Sequence, residues 1–132
     1  MNATKKVLVL GLALALFILA GCAQGTAETV TYKNITVDEL NERMENEDFF
    51  LVDVHIPEQP RIKGTDLFVS YLDVKESADK FPADKNETIA LYCRGGGMSI
   101  DASLDLIELG YTNVYNVAGG AEAWKAAGYP ME

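Results

Sequence analysis

Histidine occurs once in this 132-residue chain and cysteine only twice. With His55 as the sole histidine, a metal centre built on imidazole and thiolate ligands is excluded, and no cofactor is expected. Positive charge is also scarce: 11 Lys and Arg stand against 20 Asp and Glu, a net charge of −9. An acidic surface repels phosphate, so neither nucleic acid nor an anionic bilayer is expected to bind the domain surface. The bland reading of that charge is solubility. Internal repeats are absent, and long hydrophobic runs are absent except at the amino terminus.

That run has the form of a secretory signal. Lys5 and Lys6 make a positive start, and Val7 to Ala20 is an uncharged apolar stretch of 14 residues. A spanning helix needs roughly 20 residues; the shorter run suits the apolar region of a signal peptide. It ends in Leu19-Ala20-Gly21-Cys22, which resembles the lipobox of bacterial lipoproteins. The resemblance implies cleavage before Cys22 and lipidation of its thiol. The alternative is a short uncleaved anchor in which Cys22 is incidental. Both put the domain outside the cytoplasm, on the periplasmic or cell-surface side, held to a membrane through the anchor. Residues 1–21 are therefore assigned to a signal peptide. Residues 22–30 form the lipidated cysteine and a flexible tether. Residues 31–132 form one compact domain, expected to be a monomer.

Cys93 is then the only thiol left in a compartment where disulfides usually form. An unpaired cysteine there is either buried and inert or reactive for a reason.

Strand and helix periodicities alternate along the domain. Short strands are expected at Val30–Tyr32 and Leu67–Tyr71, and continuous apolar ones at Phe49–Val54, Thr88–Tyr92 and Asn113–Val117. Thr36-Val37-Asp38-Glu39 has the capping-box pattern and opens a helix to Glu45. A short helix is expected at Val74–Lys80. Another starts at Ser99, with Ile100, Leu104, Ile107 and Tyr111 as its apolar stripe and Gly110 as its left-handed cap. A last helix spans Ala121–Ala127, after a Gly119-Gly120 turn and before Gly128. Strands that are apolar throughout are buried on both faces, and their alternation with helices implies parallel pairing. The fold class is α/β: a small open, mostly parallel sheet of four or five strands flanked by helices.

Open parallel sheets bind ligands beyond the carboxyl ends of their strands. Cys93 sits at such an end. The loop Arg94-Gly95-Gly96-Gly97-Met98 follows, and then Ser99, read as the cap of the next helix. Glycines let successive amides turn inward around negative charge. A helix start adds its partial positive charge. A thiolate held there has a lowered pKa and raised reactivity. The competing reading is a structural cysteine whose glycines serve only the turn.

Cys93-Arg94-Gly95-Gly96-Gly97-Met98-Ser99 resembles the active-site loop of rhodanese-homology domains, usually C-R-x-G-x-R-[ST]. Leu51-Val52-Asp53-Val54-His55-Ile56-Pro57-Glu58 is similar to that family's L-[IV]-D-V-R-x-x-E stretch. Asn113 to Gly120, with Trp124 and Gly128-Tyr129-Pro130, is similar to its carboxyl-terminal V-x-x-L-x-G-G-x-x-x-W…G-[YL]-P. The resemblance implies a rhodanese-like fold and a sulfurtransferase. Cys93 would take sulfane sulfur from a small sulfur-containing donor as a persulfide and pass it to a thiol or cyanide. Arg94, Gly95, Gly96, Gly97, Met98 and Ser99 would cradle that sulfur. Asp53 would order the neighbouring loops.

This chain departs from the family pattern at three places. Met98 replaces the second loop arginine, which removes a cation suited to thiosulfate's oxygens. His55 replaces the arginine after Asp-Val, either as a supporting group or as a surface histidine. Arg61 and Lys63 occupy a variant turn, where they either restore positive charge or are simply solvated. Two further functions compete with the enzyme. One is a non-catalytic or sulfur-carrier binding module for a membrane partner. The other is a phosphatase of the same fold, which needs an arginine six residues after its cysteine; Ser99 stands there instead.

Overall fold

The computed structural model describes residues 28–132. The expected signal peptide, Cys22 and most of the expected tether lie outside the described residues.

The chain runs β1 (Lys33–Ile35), α1 (Val37–Met44), β2 (Phe50–Asp53), β3 (Leu67–Phe68), β4 (Ile89–Tyr92), α2 (Met98–Glu108), β5 (Val114–Val117) and α3 (Gly120–Ala126). The five strands form one sheet in the order β1-β5-β4-β2-β3. Every pairing is parallel, with β4 central between β2 and β5. A central parallel strand must be apolar on both faces, which is why all four residues of β4 are buried.

Successive residues of β4 feed opposite cores. Ala90 and Tyr92 join Leu40, Leu51 and Trp124 under α1 and α3. Ile89, Leu91 and Cys93 join Val52, Ala102 and Leu106 under α2. This two-residue period decides that the Cys93 side chain faces α2 and not α3.

The capping box of α1 forms as expected. Glu39 N donates to Thr36 Oγ1 at 3.1 Å, and Thr36 N donates to Glu39 Oε2 at 2.8 Å. Gly110 and Gly128 take left-handed conformations just past α2 and α3, at φ +92° and +80°. Three expectations are corrected. The first strand is Lys33–Ile35 rather than Val30–Tyr32. As an edge strand with one neighbour it buries only Ile35, so apolar content does not mark it. Val74–Lys80 makes turns and a single 3₁₀ turn at Ala78–Lys80. So short a segment ahead of Pro82 cannot propagate a helix.

The third correction concerns the face of α2. Its buried residues are Ser99, Ala102, Ser103 and Leu106, whereas Leu104 is 44% exposed. Small side chains bring this helix close to the sheet. The serine hydroxyls are satisfied internally, Ser103 Oγ donating to Ser99 O at 2.6 Å, so burying them costs little. A count of large apolar residues cannot see such a face.

Candidate active site

Cys93 follows directly on β4 and is 2% exposed. Its loop is stitched to the start of α3: Ala121 N donates to Cys93 O at 2.9 Å and Glu122 N to Arg94 O at 3.0 Å. That approach requires Gly120. A Cβ there would lie 2.4 Å from Cys93 O and 2.7 Å from Arg94 O, and the residue sits at φ +55°.

The loop turns back over the sulfur. Gly96, at φ +108°, donates its amide to Cys93 Sγ at 3.0 Å. The Ser99 hydroxyl lies 3.5 Å from the same sulfur. Burial pushes the Cys93 thiol up; the Ser99 hydroxyl and the amides of Ser99, Gly96 and Met98 pull it down and prevail, so it lies below the ordinary thiol value. The stabilisation comes from neutral dipoles.

Of the expected cradle, Gly96, Met98 and Ser99 supply groups to the sulfur. Gly95 and Gly97 have open space where a side chain would begin, so their lack of one is not a steric need. Ser99 is not the helix cap. Gly97 holds that position, α2 begins at Met98, and the Ser99 side chain is turned inward. There it reaches Gly96 O at 3.2 Å and Asn116 Oδ1 at 2.6 Å. Met98 is half-buried and packs against the core that contains Cys93.

Arg94 points outward. Its side chain is 66% exposed, and Nε donates to Glu122 Oε1 at 2.7 Å. Asp53 is fully buried and accepts from His55 N at 3.0 Å and from Gln59 Nε2 at 3.3 Å, so it orders the loop after β2. Burial pushes its carboxyl above the usual range, against the pull of those two hydrogen bonds. His55 Nδ1 is 2.7 Å from Pro57 O, an acceptor, so that nitrogen carries the proton. Arg61 is paired with Glu58 at 3.0 Å and lies over the Phe68 ring at 5.3 Å. His55, Glu58, Gln59, Arg94, Glu122 and Lys125 line a groove of about 510 Å³ beside the Cys93 loop.

This geometry is a strand-end thiol whose anionic form is favoured by a short backbone loop. The model of the rhodanese-like domain family matches residues 36–127. The chain belongs to this family. Among curated relatives it is similar to the thiosulfate sulfurtransferase GlpE of Coxiella burnetii (strain RSA 493 / Nine Mile phase I). The two are 33% identical over 98 residues, covering 72% of this chain and 89% of the relative. The thiosulfate sulfurtransferase PspE of Escherichia coli (strain K12) is 37% identical over 71 residues, covering 52% of this chain and 67% of that protein. Among solved structures, the rhodanese-like domain of the Alr3790 protein from Anabaena sp superposes with a TM-score of 0.68 at 25% identity, over 77% of this chain and 80% of that one. A rhodanese-like domain can thus be assigned on sequence and on shape together.

Three residues that support the site were given no site role from sequence. Tyr92 is buried, and its hydroxyl accepts from Ile62 N at 3.1 Å and meets Thr65 Oγ1 at 2.7 Å, tying the loop after β2 to the central strand. Burial pushes its pKa to about 12, so the hydroxyl keeps its proton at neutral pH. Gly120 permits the approach of α3. Asn116, 2% exposed, partners Ser99. Its one sequence signal is a polar residue inside the apolar strand Val114–Val117.

Proposed function

We propose that this rhodanese-like domain is a sulfurtransferase that carries sulfane sulfur as a persulfide on Cys93, outside the cytoplasm, anchored to a membrane through Cys22. The observation that carries the chemistry is the Cys93 sulfur, which accepts from the Gly96 amide at 3.0 Å. Relatives named thiosulfate sulfurtransferase support the reaction class. The Cys93 thiolate attacks the outer sulfur of the donor. The donor's S–S bond breaks, and its electron pair leaves with the thiolate or sulfite fragment. A thiol or cyanide then attacks the outer persulfide sulfur and returns Cys93 to its thiolate. No net oxidant is needed in either half. The amides that hold the thiolate are placed to hold the persulfide anion as well.

Neutral or singly charged donors such as organic polysulfides and organic persulfides fit this site better than thiosulfate. The rim arginine Arg94 is paired with Glu122, the rim's Glu58 is paired with Arg61, and Met98 brings no charge. Intact mass of the soluble domain after mixing with each donor tests the reading. One added sulfur atom on the wild type, none on Cys93→Ser, and its loss to an added thiol are expected. Loading without onward transfer would make the domain a carrier. No loading from any donor would overturn the proposal. The anchor is tested by Cys22→Ser, which should lose lipid labelling and membrane association.

A further inference from the structure

A chain of neutral side chains leads from the Cys93 sulfur to the edge of the sheet. The Ser99 hydroxyl stands 3.5 Å from Cys93 Sγ and donates to Asn116 Oδ1 at 2.6 Å. Asn116 Nδ2 donates to Asn34 Oδ1 at 3.0 Å. Ser99 and Asn116 are buried, whereas Asn34 lies exposed on β1. A hydroxyl has a single proton to give. In this arrangement it is drawn to the shortest contact, the Asn116 oxygen, in competition with Gly96 O at 3.2 Å and the sulfur.

Each asparagine carries an oxygen on one side of its amide and an NH₂ group on the other. Turning both amides over keeps the contacts and reverses their direction. Asn34 Nδ2 then donates to Asn116 Oδ1, and Asn116 Nδ2 donates to Ser99 Oγ. The hydroxyl proton is released from Asn116, with Gly96 O at 3.2 Å and Cys93 Sγ at 3.5 Å as its remaining acceptors, and an anionic sulfur attracts it more strongly than a neutral carbonyl. The reversal moves no backbone and makes or breaks no covalent bond. Its outer end is in water, so it leaves no buried group at that end without a partner.

We propose that Ser99, Asn116 and Asn34 form a reversible hydrogen-bond relay that turns a hydroxyl donor toward the Cys93 sulfur when that sulfur is an anion. Asn116 and Asn34 are positioning residues; Ser99 alone touches the sulfur. The relay rests on the reading of Cys93 as the sulfur-bearing nucleophile. It adds a donor that appears with the negative charge and withdraws when the charge is gone. The charged and titratable groups of the surrounding elements stay the same in the variants below: Lys33 on β1, Asp53 at the end of β2 and His55 just after it, Arg94 in the loop, Asp101 on α2 and Glu122 on α3.

The test uses Asn34, whose exposure lets it change without loss of fold, as a melting curve checks. Asn34→Asp offers only acceptors and holds the Asn116 NH₂ group outward. Asn34→Ala leaves Asn116 free to turn. Cys93 alkylation is measured against pH, at low and high salt. Ser99→Ala is expected to slow alkylation at pH 7 about tenfold, the worth of one hydrogen bond to an anion. Asn34→Asp should slow it about threefold, with the pH profile moved upward and the shift persisting in high salt, where an exposed charge is screened. Asn34→Ala should follow the wild type. An Asn34→Asp shift that vanishes in salt, or equals that of Asn34→Ala, would overturn the relay. Mass gain from a sulfur donor is read in the same samples. Absence of sulfur loading with the alkylation pattern intact would strike the sulfurtransferase reading and leave the relay standing.

Discussion

The Cys93 loop and the rim of the groove stabilise charge in opposite ways. Around the sulfur the groups are neutral: the Gly96, Met98 and Ser99 amides and a serine hydroxyl. At the rim they are ions: Arg94 is paired with Glu122, Glu58 with the neighbouring Arg61, and Lys125 lies exposed. Buried dipoles keep their strength because water cannot screen them, whereas exposed ion pairs contribute little. An acidic domain can therefore hold an anionic sulfur without a basic pocket. Under the proposed function, the rim would sort donors and acceptors by charge and shape.

If that division is right, the largest effect belongs to the backbone. Gly96→Ala places a side chain at φ +108° and 3.3 Å from Gly119 N. Strain of about 1–3 kcal/mol follows. The displaced amide should lower sulfur transfer roughly 100-fold. Gly95→Ala has open space and should stay within about twofold. Single-turnover rates with a polysulfide donor, alongside melting curves, check the pair; equal losses would erase the contrast.

Met98→Arg adds a second loop cation, beside Arg94, which is already paired with Glu122. Thiosulfate turnover should rise about tenfold relative to a persulfide donor. Because Met98 packs against the Cys93 core, the melting temperature should fall at the same time. Unchanged donor preference in a folded variant would show that charge at this position does not select the donor.

Asp53 tests the support behind the rim. Its folded pKa is raised, chiefly by burial, so its protonated form favours folding. The stability tied to that proton is present below the ordinary carboxylate value and is lost as pH rises through the folded pKa. Asp53→Asn removes this loss. The stability of the variant relative to wild type should therefore increase from pH 4 to pH 7, as urea midpoints at the two pH values can show. The loop from His55 to Gln59 should still loosen, because one acceptor replaces two. A relative stability flat across that range would mean that Asp53 folds in its ordinary ionisation state.

The smallest effect is expected at the outer ion pair. Glu122→Gln frees Arg94, which should lower the thiosulfate KM by a few-fold and shift stability by less than about 1 kcal/mol. Steady-state kinetics at two salt concentrations measure it. A loss as large as that of Gly96→Ala would place the rim, not the backbone, in charge of the sulfur.

Much of the domain was legible in its residues. The fully apolar β4, the Thr36 capping box and the terminal glycines Gly110 and Gly128 are local signals, and each formed where it was expected. The loop around Cys93 was legible too, because glycines and a thiol at a strand end have few other uses. What only the tertiary structure decided is how distant segments share one space. The α2 face is built of Ser99, Ala102 and Ser103 because β4 and β5 lie close beneath it, a distance no periodicity encodes. Ser99 gave up the cap because its hydroxyl found Asn116, 17 positions away. Gly120 matters because Cys93 O stands where its Cβ would be. Met98 looked like a missing cation and proved to be half-buried packing as well. Local propensity sets where strands and helices begin; contact across the fold sets which of their atoms can reach the sulfur.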